Sequence, residues 1–313
     1  MLTKVNVKWK EDAVSHFMTE LIDYAGLFPP AALPLPDAIK NYHSYIYDSD
    51  SWMLGPFVIP ASKLKNLDSY RAQFNHKYPL RLSVILTDLD HVESDLKTLE
   101  HFLEVYQTAG TIEALEVPLS FTLDSQFFRK LNEQSISLRI FCEVAGAFDQ
   151  LAASLDTIQQ MNQESSKQFG VKMRMGGLTP NLFPQAEKAA FVIHESNKRA
   201  LELKFTAGLH HPIRQYRDEV KTYMHGFVNV FTASIMAYSL SIEKEYIQAI
   251  LLDEQPDNFK FTTNTLSWRN LTVRSSEISE ARSFFAASYG CCSFDEPRNE
   301  LGELRLYQGD EMR

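Results

Sequence analysis

Short aliphatic runs alternate with helical stretches along most of this chain, and this alternation restricts the fold more than any other feature. The stronger runs lie at 57–59, 82–86, 112–117, 138–144, 171–175 and 203–207, and weaker ones at 259–262 and 291–294. Such alternation predicts parallel strands joined by crossover helices. Eight candidate strands within about 240 residues match an α/β fold of the (β/α)8 TIM-like barrel type.

Four successive runs distinguish a barrel from an open, doubly wound sheet. Within residues 114–117, 138–144, 171–175 and 203–207, one face of each run is apolar and the opposite face carries charge. Helices bury both faces of a parallel strand in an open sheet, so such a strand should be apolar almost throughout. A barrel strand can instead direct polar side chains into the mouth. The open sheet would also need a glycine fingerprint after its first strand, and I-P-A-S at 59–62 is not one.

The pattern divides the chain into three parts. Residues 11–24 carry an apolar stripe with helical spacing, and four prolines follow between 27 and 36. We therefore expect an N-terminal helical and proline-rich extension over 1–55, a β/α barrel over 56–296, and a polar C-terminal tail over 297–313. The role of the proline-rich segment 27–36 is open at this stage, with closure of one end of the barrel as one interpretation.

Charge and composition exclude several classes of protein. Among 313 residues, 31 Lys or Arg stand against 40 Asp or Glu, a formal charge of −9, which argues against a nucleic-acid binder. The first residues lack the apolar core of a signal peptide, and no apolar stretch is long enough to predict a membrane span. The three cysteines form no C-x-x-C pair, so no disulfide framework or structural zinc site is expected. These features predict a cytoplasmic protein with neither nucleic-acid nor membrane partners.

Charged side chains are expected to meet in the barrel mouth, near the carboxyl ends of their strands. They are Glu116, Glu143, Lys172, Arg174 and Lys204. Barrel enzymes work at this end, and buried charges must pair with one another or with a ligand. A structural ion-pair network is one interpretation. Because two carboxylates face three cations, more charge than packing requires, we favour a binding or catalytic site.

The segment 171–225 predicts a small anionic ligand. It carries nine Lys or Arg against five Asp or Glu, within a chain that is acidic overall. Glycines after the fifth strong run let backbone N–H groups approach an anion, and either histidine of the adjacent pair after the sixth can act as acid, base or anion contact. No metal site is expected, because these histidines lack the spacing of a zinc motif. The candidate anion-binding residues are Arg174, Gly176, Gly177, Thr206, His211, Arg214 and His225.

Two resemblances involve the same residues. The motifs D-Y-A-G-L-F-P-P at 23–30, K-x-R-x-G-G at 172–177, K-x-T-A-G-L-H-H-P at 204–212 and H-G-F at 225–227 resemble an uncharacterised bacterial protein family, and that likeness implies no activity. Over about forty residues, V-K-x-x-x-G followed by K-x-x-x-G also resembles the lysine strands of deoxyribose-phosphate aldolases. This second resemblance implies a (β/α)8 class I aldolase with the Schiff-base lysine at Lys172 and a second, pKa-lowering lysine at Lys204. Arg174, Gly177 and the segment 209–212 depart from that pattern.

Three functional hypotheses follow. The first is a lyase or aldolase without a cofactor that acts on a small anionic carbonyl compound through Lys172 and Lys204. In this hypothesis Glu116 or Glu143 moves the proton and His210 assists, while Arg174 and Arg214 hold the anionic end of the substrate.

The second hypothesis is a magnesium-dependent enzyme with Asp88, Glu116 and Glu143 as ligands and Lys172 as base. The third is a barrel that binds an anionic ligand without catalysis. The sequence does not define an oligomeric state.

Overall fold

The structure is a computed structural model that describes residues 12–118 and 138–306, apart from the side chain of Leu89. Its strands are β1 (Ile22–Tyr24), β2 (Leu54–Pro60), β3 (Leu80–Ile85), β4 (Gly110–Val117), β5 (Arg139–Val144), β6 (Phe169–Arg174), β7 (Leu203–Thr206), β8 (Gln215–Arg217), β9 (Thr222–Met224), β10 (Phe259–Phe261), β11 (Thr265–Trp268), β12 (Leu271–Arg274) and β13 (Ala286–Cys291). Its α-helices are α1 (Ala13–Met18), α2 (Leu35–Tyr45), α3 (Val92–Tyr106), α4 (Phe148–Glu164), α5 (Ala186–Lys198), α6 (Phe227–Leu240), α7 (Lys244–Leu252), α8 (Ser275–Phe284) and α9 (Asp295–Glu303).

Eight parallel strands close into a barrel, in the order β1-β13-β7-β6-β5-β4-β3-β2. The predicted (β/α)8 architecture is therefore confirmed. Helices lie between most successive strands, and a 3-10 segment, Ala61–Gln73, takes this place between β2 and β3. The apolar faces of the strands join the main core; Leu115 and Val117 of β4, for example, are both buried there. Their neighbour Glu116 points to the opposite side, as strand alternation requires.

The barrel begins earlier in the chain than the expected boundary at residue 56. Within the segment 11–24, the described helix spans only Ala13–Met18, and β1 follows it and pairs with both β2 and β13. Three residues are too few to produce a recognisable strand pattern, and all three are buried. The proline-rich residues after β1 form the loop that leads into α2. They therefore lie at the carboxyl ends of the strands.

The two weaker candidate runs also turn out differently. Phe259–Phe261 forms β10, which pairs antiparallel with β11 in a separate three-stranded sheet outside the barrel. The eighth barrel strand is instead β13, which ends at Cys291, where the predicted run began. Its sequence A-A-S-Y-G-C is rich in small residues, so hydrophobicity alone does not reveal it.

The C-terminal part of the chain is partly helical where a polar tail was expected. Residues 297–303 belong to α9, and Leu301 of that helix is buried in the core. Residues 307–313 of the expected tail lie outside the described residues. Within the described ranges, no helix has the length and apolar character needed to cross a bilayer.

The loops after β6 and β7 touch through two glycines. A Cβ atom built on Gly208 would lie 2.6 Å from Cα of Gly176, and Gly208 has a φ of +71°. Only glycine combines that backbone conformation with so close an approach. The loops that follow the lysine-bearing strands β6 and β7 are therefore in direct backbone contact.

Replacing Gly208 with alanine should weaken the fold. The added methyl group meets backbone atoms, and the left-handed conformation becomes strained, so the free energy of unfolding should fall by about 2–4 kcal/mol. Urea denaturation measures this. The control is Gly302→Ala in the last turn of α9, where alanine favours the helix. Equal stability of Gly208→Ala and the wild type would contradict the close contact.

Candidate active site

A connected group of charges fills the middle of the barrel. Glu116 is fully buried and accepts from both lysines: its Oε2 lies 2.7 Å from Nζ of Lys172, and its Oε1 lies 2.9 Å from Nζ of Lys204. Lys172 also lies 3.3 Å from Oε2 of Glu143. The prediction that opposite charges from neighbouring strands converge inside one closed barrel is confirmed. We call Asp23, Glu116, Glu143, Lys172 and Lys204 the ion-pair cluster.

Asp23 is the member that the sequence did not identify. It lies on β1, is completely buried, and binds Nζ of Lys204 through Oδ2. Ser288 donates a hydrogen bond of 2.9 Å to the same oxygen. Because Asp23 raises the carboxylates to three, the charges balance the three cations that include Arg174. An excess of cations therefore does not argue for a ligand here. Asp23 begins the motif at 23–30, but the apolar spacing of residues 11–24 predicted a helix there. Asp23 was therefore not expected on a barrel strand.

Lys204 is a fixed cation. Its Nζ contacts Asp23, Glu116 and the hydroxyl of Ser83, the last at 3.0 Å. Burial opposes the charge, but Asp23 and Glu116 outweigh it and raise the pKa of Lys204. Conversely, despite its burial, the two adjacent lysines hold the pKa of Glu116 well below its usual range. Lys204 is therefore held as a cation by two carboxylates.

Exposure rises from the cluster toward the mouth. The side chain of Lys172 is 5% exposed, that of Glu143 20%, and that of Arg174 49%. Nε of Arg174 lies 3.9 Å from Oε1 of Glu143. Lys172 thus stands between a buried carboxylate and one that solvent or a ligand can reach. Thr206 lies two residues after Lys204 on the same face of β7, and its Oγ1 would lie 3.3 Å from a Cβ on Gly290 of β13.

The histidines after β7 lie with α9 rather than in the cluster. Nδ1 of His210 contacts Glu296 at 2.9 Å and Sγ of Cys291 at 3.8 Å. Burial disfavours its charged form, but hydrogen bonds to Cys291 and Glu296 prevail and raise the pKa of His210 to about 11. A histidine held in its charged form does not suit the role of a general base at neutral pH. The assisting role expected for His210 has no contact with the cluster to support it.

The remaining anion-binding candidates are used in packing and pairing. His211 is buried with Nδ1 2.8 Å from Glu300, and Arg214 lies over the ring of Tyr223 with Glu254 3.8 Å away. Gly177 packs against the side chain of Leu182, just as Gly176 packs against Gly208. These contacts account for His211, Gly176 and Gly177, whereas the buried Nε of Arg214 has no hydrogen-bond partner.

The magnesium ligand set does not assemble. Asp88 caps a short helical turn and binds both the backbone and the ring of His91, while the oxygens of Glu116 are held by lysines. Within residues 12–118 and 138–306, one group of three ligand side chains has donor atoms within 4.8 Å of one another: His211, Glu296 and Glu300. One imidazole and two carboxylates suit a divalent cation. In this structure Nδ1 of His211 is bonded to Glu300, so the group also satisfies itself as an ion pair.

Comparison with known protein families and with curated proteins found no match for this chain. Both resemblances therefore stay predictions, and the functional argument rests on the geometry.

The two lysines should differ in their effect on stability. Lys204→Met leaves Asp23 and Glu116 buried with less compensation, so the free energy of unfolding should fall by about 3–5 kcal/mol. Lys172→Met should cost less than half as much, because Glu116 keeps Lys204 and Ser83. Urea denaturation of both variants measures the difference. Equal losses in the free energy of unfolding would contradict the prediction that the fold depends more on Lys204 than on Lys172.

His225 should make stability depend on pH. It is buried, with Nε2 2.8 Å from the carbonyl oxygen of Pro184. Burial lowers its pKa to about 4, so the folded state favours the neutral ring. Stability is thus complete above about pH 6.5 and falls by about 3 kcal/mol as the pH drops to 4.

His225→Gln removes the titrating group while retaining a donor for the carbonyl of Pro184. Chemical denaturation of the wild type and the variant between pH 4 and 7 isolates the contribution of His225. A difference that stays constant over this range would contradict the prediction.

Proposed function

We propose that this chain is a class I lyase or aldolase in which Lys172 forms a Schiff base with a small anionic carbonyl compound. The observation that carries the proposal is the position of Lys172: its amine lies beside the fixed charges of Glu116 and Lys204, next to a carboxylate exposed at the mouth. The amine must lose a proton before it attacks a carbonyl carbon, and Glu143, 3.3 Å from Nζ, is the base proposed to accept that proton.

The proposed reaction has several steps, and residues of the ion-pair cluster carry the nucleophile and the proton. The Nζ lone pair of Lys172 attacks the carbonyl carbon, and loss of water from the carbinolamine gives the iminium ion. A base removes the proton of the β-hydroxyl group, the Cα–Cβ bond breaks so that the fragment bearing this oxygen leaves as an aldehyde, and the electron pair of the bond passes into the iminium, which becomes an enamine. Protonation of the enamine carbon and addition of water then release the second carbonyl product and the free lysine. Glu143, partly exposed and 3.3 Å from Nζ of Lys172, is the proposed proton carrier.

Residues at the mouth are proposed to orient the substrate. Arg174 is half exposed beside Glu143 and can pair with a carboxylate or phosphate. Lys204 is the proposed second lysine beside Lys172, and it offsets part of the negative charge of Glu116. The buried position of Glu116 suits it to positioning the two lysines rather than to proton exchange with solvent.

Reductive trapping tests the covalent step. Incubation with borohydride and pyruvate, acetaldehyde or dihydroxyacetone phosphate should add to the wild-type chain the mass of one ligand less one oxygen atom, and peptide mapping should locate the adduct at Lys172. Lys172→Met should lose the adduct, since no amine remains at that position. Lys260→Met, which removes an exposed lysine on β10, should label like the wild type.

Glu143→Gln should still form the adduct but more slowly, by about 10²–10⁴-fold if it carries the proton. The absence of an adduct at Lys172 with every carbonyl compound tried would refute the covalent mechanism. Saturable anion binding without an adduct would favour the non-catalytic barrel instead.

A further inference from the structure

A cavity of about 280 Å³ lies inside the barrel at the end where the strands begin. Arg81, the second residue of β3, and Arg139, the first residue of β5, line it. Asp23 and Lys204 of the ion-pair cluster line it as well. The cavity therefore lies across the cluster from Arg174, which ends β6 at the mouth.

Small side chains create this space. Ala114, Ala287 and Ser288 line the cavity together with the ring of Phe141. The interior of a (β/α)8 barrel is usually filled by bulky branched residues. Here the volume corresponds to several water molecules, at about 30 Å³ each, and so to a small organic molecule rather than a drug-sized one.

Arg282, on α8, gives the cavity a cation without a carboxylate partner. Its Nη atoms donate to the backbone carbonyls of Thr19, Ala286 and Ala287, and its buried Nε has no hydrogen-bond partner. Within the part of the chain that the structure describes, no carboxylate lies within ion-pair distance of it. Arg282 is partly buried, and a cation without a carboxylate partner gains a charge-assisted hydrogen bond when an anion joins it.

The other arginines of the cavity are already paired. Arg81 binds Glu113 at 2.6 Å and Glu20 at 3.0 Å, and Arg139 binds Glu202 at 3.2 Å. The difference singles out Arg282 as the charge that a ligand would neutralise.

Asp23 supplies the complementary acceptor. It is fully buried, and while its Oδ2 binds Lys204 and Ser288, its Oδ1 has no hydrogen-bond partner. A buried carboxylate oxygen without a donor is unfavourable. The same cavity thus holds an unpaired cation and an acceptor that lacks a donor.

We propose that this cavity is a second ligand site, which binds a small carboxylate carrying a hydroxyl or amino group. The carboxylate pairs with Arg282, and the hydroxyl or amino group donates to Asp23. The site is separate from Lys172, which does not line the cavity. Its occupancy is therefore independent of the Schiff-base chemistry proposed for the mouth.

Titration of the full chain with glycolate and with acetate, followed by ligand-observed NMR, tests the proposal. Glycolate should bind saturably at one site, and acetate should bind at least about fivefold more weakly because it has no hydroxyl for Asp23. Arg282→Gln should weaken glycolate binding at least about tenfold through loss of the charge-assisted pair. The matched control, Arg274→Gln on β12 outside the cavity, should bind like the wild type.

Because Arg282 also holds backbone carbonyls, a second variant keeps the test independent of its folding. Ala114→Leu fills the cavity without removing a polar group, and it should abolish glycolate binding while the circular dichroism spectrum is retained. Lys172→Met should bind glycolate normally, which separates this site from the proposed reaction. No saturable binding of either carboxylate at millimolar concentrations, or binding that Ala114→Leu leaves unchanged, overturns the proposal.

Discussion

The contact of Glu116 with two lysines is the interaction on which the interior of this barrel depends. One buried carboxylate neutralises part of two ammonium groups from adjacent strands, and Ser83 donates a third hydrogen bond to it at 2.8 Å. Without it, Lys172 and Lys204 would repel each other in a low-dielectric interior. Their register places them directly opposite each other on β6 and β7, so the carboxylate is what permits the two strands to present lysines side by side.

The ion-pair cluster also separates the two ends of the barrel. On the mouth side, exposure increases from Lys172 through Glu143 to Arg174. On the opposite side, Asp23 and Lys204 form part of the wall of a cavity. Lys204 and Asp23 thus form the boundary between the two environments. Charged side chains occupy the middle of this barrel, whereas bulky aliphatic side chains usually fill the interior of a (β/α)8 barrel.

The sequence predicted the parts of this arrangement that repeat along a strand. Alternation within the runs that became β4 to β7 placed Glu116, Glu143, Lys172 and Lys204 on the interior face, and the structure confirmed it. Asp23 could not be found this way, because a three-residue strand shows no period. The pairing of His210 with Glu296 was also out of reach, since it joins a loop to a helix 86 residues away and depends on the closed tertiary structure. Periodicity reports which face a residue occupies but not which distant segment covers it.

The shortness of β1 has a consequence for how the chain reaches its native state. The barrel closes only when residues 22–24 pair with residues 289–291, near the opposite end of the described chain. Contacts so distant in sequence form slowly, because the chain loses the conformational entropy of a large loop before the contacts can stabilise it. Asp23 is buried by the same closure. An emerging polypeptide therefore carries this carboxylate in water until residues 289–291 have left the ribosome, and completion of the cylinder and removal of that charge from solvent become a single event.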